Sequence, residues 1–452
     1  MTALALSLAL PAIAAVLVAR AAWPAPPVRA AAFRWFQGFV AAGVGLALSS
    51  CAFFLWYPLF GHPKHHYVAA EVVACAAVVV AAGWRLRRTP AVPVHADPPT
   101  WTRWLWVPFA ASAAVAVNYL VKYWDRDPFG HWDAVAIWNL RARFLFRTDA
   151  NWADAFSPLN LHTDYPLFVP ATIARGWCYA GAESEAAPVA VAVVMLVLAA
   201  GALVSGLNHL RGGGQGWLAG AVLLAAFPFL QTAGFQYADV PLSFFVLAAV
   251  AVLVVHDQSG GMSRTPPILA GALAAAAAWT KNEGQLAFVA LVLCRAVVLK
   301  RRKSLREMMW FFAGAVPAAV ALAVLKFGYA PPNDLVAGQG GGTFGRLTDP
   351  VRYAQISVAF GEQLWAFGPG LLFALAGYAL LVGRPPAERR VKGTGMAWAV
   401  VGLLAAGYGG VYLTTPHDLG WHLNTSLVRL FAQVWPLFLF ALFLTTEPAD
   451  KA

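Results

Sequence analysis

The sequence predicts an all-α protein threaded many times through a membrane. Three observations predict it. The 452 residues are 60% apolar and only 12% charged, whereas soluble domains carry about a quarter charged residues. Mean hydropathy is +0.62, which leaves too little polar surface to cover a water-soluble globule. The charges also gather in short breaks between apolar runs instead of spreading along the chain.

Taken in order, the apolar runs predict about thirteen spans. They lie at 3–19, 36–57, 67–84, 104–122, 186–207, 217–234, 240–256, 266–280, 285–299, 308–326, 366–383, 395–413 and 430–445. The first run resembles a signal sequence but lacks a basic start, so a retained first span is expected. The two runs around Lys281 and Gly284 are short for a bilayer and are expected to tilt or to meet inside the protein. Cys51, Cys75 and Cys294 fall in apolar runs and Cys178 in a polar stretch, so no disulfide framework is expected.

The net charge of +11 would suggest a nucleic-acid partner in a soluble protein. Here the cations flank spans, which is a topology signal, and no nucleic acid is expected. Clusters at 20–34, 85–103, 300–306 and 384–392, together with Arg211, Arg264 and Lys451, hold 19 of the 32 Lys and Arg. Placing those clusters in the cytoplasm gives a self-consistent alternation through all the spans, with a cytoplasmic tail at 446–452. Most of the 21 Asp and Glu then face outward, among them Asp133, Asp164, Asp239, Glu283 and Asp418. Most of the possible acid–base groups thus share one surface.

The longest outward loop, 122–185, carries WDRDPFGHWDAVAIWNLRARFLFR. Stranding ionisable groups against hydrocarbon costs several kcal/mol, so a cluster there needs a reason. Asp133 lies beside His131 and Trp132. Val135, Ile137, Trp138, Phe144 and Phe146 interleave with Arg141, Arg143 and Arg147, which suits a helix lying in the interface. A second helical stretch, 167–179, follows His162, Thr163, Asp164 and Tyr165. Two interfacial helices beside an acid would make a shelf above a cavity. A solvated loop with aromatic anchors is the plain alternative.

Other breaks between spans carry candidates. Asp239, in QYADVP, is either a helix cap followed by a first-turn proline or a site residue for acceptor or metal. Lys281 and Glu283, in WTKNEG, are either a polar turn or part of a site. In TTPHDLGWHLNTSLVR, His422, Ser426 and Arg429 fall at i, i+4 and i+7 and share a helix face. Metal binding by His417, Asp418 and His422 is a weaker idea, because the spacing is loose. The glycine run 338–342 lacks the Gly-Lys-Ser/Thr ending of a phosphate loop and reads as an outer loop that orders over substrate.

The tracts GHWDAVAIWNLRARF, HTDYPLFVP, QYADVPLSFF, WTKNEG and TTPHDLGWHLNTSLVR resemble those of the GT-C superfamily of polytopic glycosyltransferases. The nearest types are the protein O-mannosyltransferases, the bacterial lipid A aminoarabinose transferases and a related bacterial branch. The resemblance covers 104–445, with 122–185 as the catalytic loop and 1–103 as a three-span N-terminal addition. It implies a multi-pass protein of the bacterial inner membrane that uses a polyprenyl-phosphate sugar on the extracytoplasmic side. It also implies inversion and a loop carboxylate as base, which is Asp133 here, supported by His131 and Asp164. The chain lacks the adjacent Asp-Glu pair of the protein mannosyltransferases, which leaves lipid, glycan and protein open as acceptors.

The residue types suit that chemistry. A carboxylate within hydrogen-bond reach deprotonates an attacking hydroxyl, and a departing phosphate needs cationic donors. Arg429, Lys281, His422 and His417 are the expected phosphate group. Asp239, Tyr237, Glu283, Asp418, Trp132 and Tyr165 are the expected acceptor or sugar group. No cofactor is certain from the sequence, and a divalent metal stays open. The alternatives are a polymer ligase of the O-antigen type, whose large loop would come late, and a secondary transporter, which would show paired repeats.

Overall fold

The computed structural model describes residues 2–26, 28–62, 64–88, 104–147, 151–212, 214–261, 263–333 and 342–446. Helices carry the whole architecture, and no strand occurs among the described residues. In chain order they are α1 (Thr2–Ala22), α2 (Ala30–Phe60), α3 (Lys64–Arg88), α4 (Trp106–Arg126), α5 (Leu140–Arg147), α6 (Phe168–Ala180), α7 (Ala186–Arg211), α8 (Gln215–Ala225) and α9 (Phe227–Gly234). They continue as α10 (Asp239–Gln258), α11 (Thr265–Thr280), α12 (Asn282–Arg301), α13 (Glu307–Gly328), α14 (Thr343–Thr348), α15 (Pro350–Ala366), α16 (Pro369–Val382), α17 (Thr394–Thr414) and α18 (Leu419–Thr445).

Among the described residues, nine of these helices are long and apolar enough to cross a membrane, and up to eleven spans result if each bent pair counts as one. The chain is built as a multi-pass membrane protein. Two further predicted spans fall short of that test. Helix α11 is only 16 residues long, and α4 is diluted by Asn118 and by charges near its C-terminal end.

Proline explains where predicted spans break. The run 217–234 bends by 67° between α8 and α9, where Pro228 sits in the first turn of α9. The run 366–383 begins at Pro369, after an 84° bend from α15. Helix α15 itself lies where the sequence suggested only loop. The last span extends back from 430 to Leu419, because Asp418 caps it by accepting from the Trp421 amide at 2.7 Å.

Helix α10 is the axis of the bundle. Every residue from Asp239 to Asp257 is buried, and α7, α11 and α18 pack around it. Helices α11 and α13 approach until backbones touch. A Cβ on Gly271 would stand 1.8 Å from the Phe311 carbonyl oxygen, and one on Gly314 would stand 1.9 Å from that of Ile268. Small residues permit such contact where no hydrophobic force pulls helices together in lipid.

The short helices after α4 are present but are not laid on a surface. A π-turn, Ala134–Asn139, leads into α5, and Ile137, Trp138, Arg141, Ala142 and Leu145 are all buried. Helix α6 is buried from Phe168 to Cys178, because α1, α2 and α7 enclose it. Arg141 survives burial by donating to the carbonyls of Leu161 and Tyr165 at 3.0 and 3.1 Å, although desolvation pushes it down to about 10.

The charges inside spans are paired, as hydrocarbon demands. Glu71 of α3 accepts from Arg175 and Tyr179 of α6 at 2.9 and 2.6 Å. Arg295 of α12 lies 2.9 Å from both carboxylate oxygens of Asp257, with Glu307 on its other side at 3.1 Å. All four cysteines are free, and Cys178 is buried within α6 rather than lying in a polar stretch.

Candidate functional site

The site forms where the segment after α4 meets the heads of α10 and α12 and the first turns of α18. A glycine turn begins it. Gly130 has φ +78, and a Cβ there would fall 2.5 Å from the Phe235 carbonyl oxygen, so only glycine fits. The turn is stapled to the α9–α10 connection: Gln236 donates to the Pro128 carbonyl at 2.8 Å and the His131 amide to that of Phe235 at 3.3 Å. Asn139 donates to the Phe129 carbonyl at 2.9 Å from the other side. These bonds deliver His131 and Asp133 to the N-terminus of α10.

Asp133 is then held by Arg429. Its Oδ2 lies 2.7 Å from Arg429 Nη1, and both side chains are mostly buried. Arg429 Nε reaches Asp239 Oδ2 at 3.4 Å. Asp239 is fully buried and also accepts from Lys281 at 2.9 Å and from Gln433 at 2.5 Å. Lys281 continues the chain to Glu283 at 2.9 Å. The network therefore sets three carboxylates against two cations, with four segments of the chain meeting within it.

Aromatic groups frame these charges. The Arg429 guanidinium lies 4.8 Å from the Tyr237 ring centroid, and the Lys281 ammonium lies 5.9 Å from that of Tyr165. Tyr237 bonds His131 Nδ1 through its hydroxyl at 2.8 Å, and the His131 ring stacks on Phe235. Burial raises the phenols of Tyr237 and Tyr165 above their usual range, with nearby carboxylates adding to it. Both stay neutral and serve as hydrogen-bonding groups.

Asp164 belongs to a neighbouring group. Its Oδ2 accepts from Asn282 at 2.6 Å and from Asn333 at 2.7 Å, and Lys326 approaches it at 3.7 Å. Lys326 also donates to Asn282 Oδ1 at 2.9 Å. Asn282 sits between Lys281 and Glu283, so the two groups adjoin. His422 bonds Thr415 Oγ1 at 3.0 Å and packs edge-on to Tyr412, and the His417 ring lies 5.9 Å from the His422 ring. Asp418 serves as the α18 cap. Trp132 is exposed beside Asp133.

The structure thus joins Asp133, His131, Tyr237, Asp239, Lys281, Glu283 and Arg429 in one network. It places Asp164 and Tyr165 against that network, His422 in the first turn of α18, and His417 and Asp418 just before that helix. Among the described residues, no group of three or more His, Cys, Asp or Glu is arranged to hold a metal ion. The glycine run 338–342 falls mostly in 334–341, outside the described residues.

Several participants were not singled out from sequence. Gln433 is an amide inside an apolar helix, and it also accepts from the buried Tyr408 at 2.7 Å. Lys326 and Asn333 sit at the end of α13 and beyond it. A lone polar residue in a span was the available signal.

No family model matches the chain, no curated protein is similar to it, and no solved structure matches its fold.

Proposed function

We propose that this protein is a membrane glycosyltransferase that moves a sugar from a polyprenyl phosphate to an acceptor hydroxyl, at the extracytoplasmic face of a bacterial inner membrane. The observation that carries the reading is the Asp133–Arg429 ion pair, backed by Asp239 and Lys281. It joins the two groups the chemistry needs: a carboxylate to take a proton and a guanidinium to receive a phosphate.

The pair also suggests how the base is released. Arg429 spends Nη1 on Asp133 and Nε on Asp239. A phosphate that replaces Asp133 on Nη1 frees the Asp133 carboxylate beside the reacting sugar. The acceptor O–H proton passes to that carboxylate as its oxygen bonds the anomeric carbon. The carbon–oxygen bond to phosphate breaks with the electron pair going to the phosphate, and Arg429 takes up the growing charge. A single displacement of this kind inverts the anomeric centre. Tyr237 and Tyr165 present neutral rings and hydroxyls, which suits sugar binding.

A transporter is the second reading, because Asp239 and Lys281 are enclosed by helices. One assay separates the two. Purified protein is given synthetic polyprenyl-phosphate sugars, and release of the lipid phosphate is followed. Transfer with loss in Asp133→Asn supports the transferase. An Asp133→Asn protein with wild-type turnover removes Asp133 from the chemistry.

A further inference from the structure

Beside the site, at the C-terminal end of α4, a separate cavity of about 580 Å³ opens between α4 and α9. That is within the range of small-ligand sites, roughly 300–1,000 Å³. Its lining is divided along α4. Asn118, Lys122 and Arg126, at i, i+4 and i+8, form a polar stripe, while Val115, Tyr119 and Tyr123 form an apolar strip beside it. Lys122 is exposed and has no ion-pair partner among the described residues. Arg126 pairs with Asp127 at 2.7 Å on an exposed surface, a contact of little worth that an incoming anion displaces.

His131 lines the same cavity, fixed by its stack on Phe235 and its bond to Tyr237. The walls are set closely, because a Cβ on Gly234 of α9 would meet Leu120 and Tyr119 of α4 at 3.4 and 3.5 Å. The apolar strip reaches the outside of the bundle at Val115, which is exposed. Cations along one side, and beside them an apolar strip that reaches the outside of the bundle, describe an amphiphile with an anionic head.

We propose that this crevice holds the phosphate of a single-chain lipid phosphate, with Lys122, Arg126 and His131 on the phosphate and Val115, Tyr119 and Tyr123 along the first carbons of the chain. On the transferase reading, which this extends, it is where the lipid-linked donor first docks, before its phosphate passes to Arg429. Through His131 and Tyr237 the crevice connects to the Arg429 guanidinium. The site network itself carries more carboxylates than cations, whereas the crevice beside it carries Lys122 and Arg126.

Farnesyl phosphate is titrated into detergent-purified protein, with farnesol and inorganic phosphate as comparison ligands. Wild type is expected to bind farnesyl phosphate at least tenfold more tightly than either. Lys122→Gln/Arg126→Gln is expected to lose that tenfold, with its melting temperature intact because both side chains are exposed. The single variants, expected to lose about threefold each, stand in if the pair fails to fold. Equal binding of farnesol, full competition by inorganic phosphate, or wild-type affinity in the folded double variant overturns the proposal. Sugar transfer measured alongside keeps the two readings apart. A protein that turns over lipid-linked sugars but binds without Lys122 and Arg126 loses the crevice and keeps the transferase. A protein that binds through them but never releases lipid phosphate does the reverse.

Discussion

Asp133 Oδ2 and Arg429 Nη1 meet at 2.7 Å although they come from the first long loop and the last helix. The pair makes separable predictions for its two members. Asp133→Asn keeps the shape and removes the base, so turnover should fall by about 10² to 10⁴ while donor affinity stays near wild type or improves, since Arg429 is then freer. Arg429→Ala should instead raise KM for the lipid donor and lower turnover. Steady-state kinetics with a polyprenyl-phosphate sugar read both. Matching losses in KM for the two variants would show that the pair acts only as a strut.

Asp239 and Lys281 form the buried half of the same network, at 0% and 2% side-chain exposure. Removing one partner of such a pair strands the other charge and costs about 3–5 kcal/mol. Lys281→Met and Asp239→Asn should each lower the thermal midpoint markedly in detergent. The double variant should lose less than the two singles summed, because neither member of the Asp239–Lys281 pair then leaves the other's buried charge unpaired. Additive losses would mean that Gln433 and Arg429 already satisfy Asp239 alone.

The helices were legible because runs of span length admit few other readings. The bends at Pro228 and Pro369 were not read, because hydropathy averaged over a window passes through a proline. Asp133, Asp239, Lys281 and Arg429 stood out as charges at span ends. That Arg429 would choose Asp133, and Lys281 Asp239, was not readable, since pairing depends on which helices adjoin. The burial of α5 and α6 was missed for a related reason. An amphipathic pattern shows that one face is apolar but does not show whether lipid or α1 and α2 cover it. Gln433 and Lys326 were overlooked because single polar residues in apolar runs look like tolerated exceptions.

Gly271 and Gly314 let α11 and α13 touch, with each missing Cβ standing where the other helix has a carbonyl. Backbone cannot move aside as a flexible side chain does, so Gly271→Val and Gly314→Val should each cost at least the roughly 1–3 kcal/mol of an overpacked core. Helix α12 follows α11 directly and carries Lys281 and Glu283 to the site, so donor binding should weaken as well. Gel filtration and melting of the detergent-solubilised variants test this. Wild-type melting in both would mean that the helices separate without penalty.

The two charged clusters on α10 predict opposite sides of a membrane. Asp239 opens the helix and Asp257 lies at its far end, about 27 Å away along the axis at 1.5 Å per residue. Leu159, in the loop at the Asp239 end, and Ser304, beyond the Asp257 end, are both exposed. Leu159→Cys and Ser304→Cys should therefore differ in intact cells. A membrane-impermeant maleimide should label the first without permeabilisation and the second only after it. The native cysteines interfere little, because Cys51, Cys178 and Cys294 are buried and Cys75 is partly covered. The arginine- and lysine-rich turn 300–306 favours a cytoplasmic position for Ser304. Labelling of Ser304→Cys alone in intact cells would invert the orientation and put the Asp133 network on the cytoplasmic face. An extracytoplasmic lipid-linked donor would then be the wrong substrate.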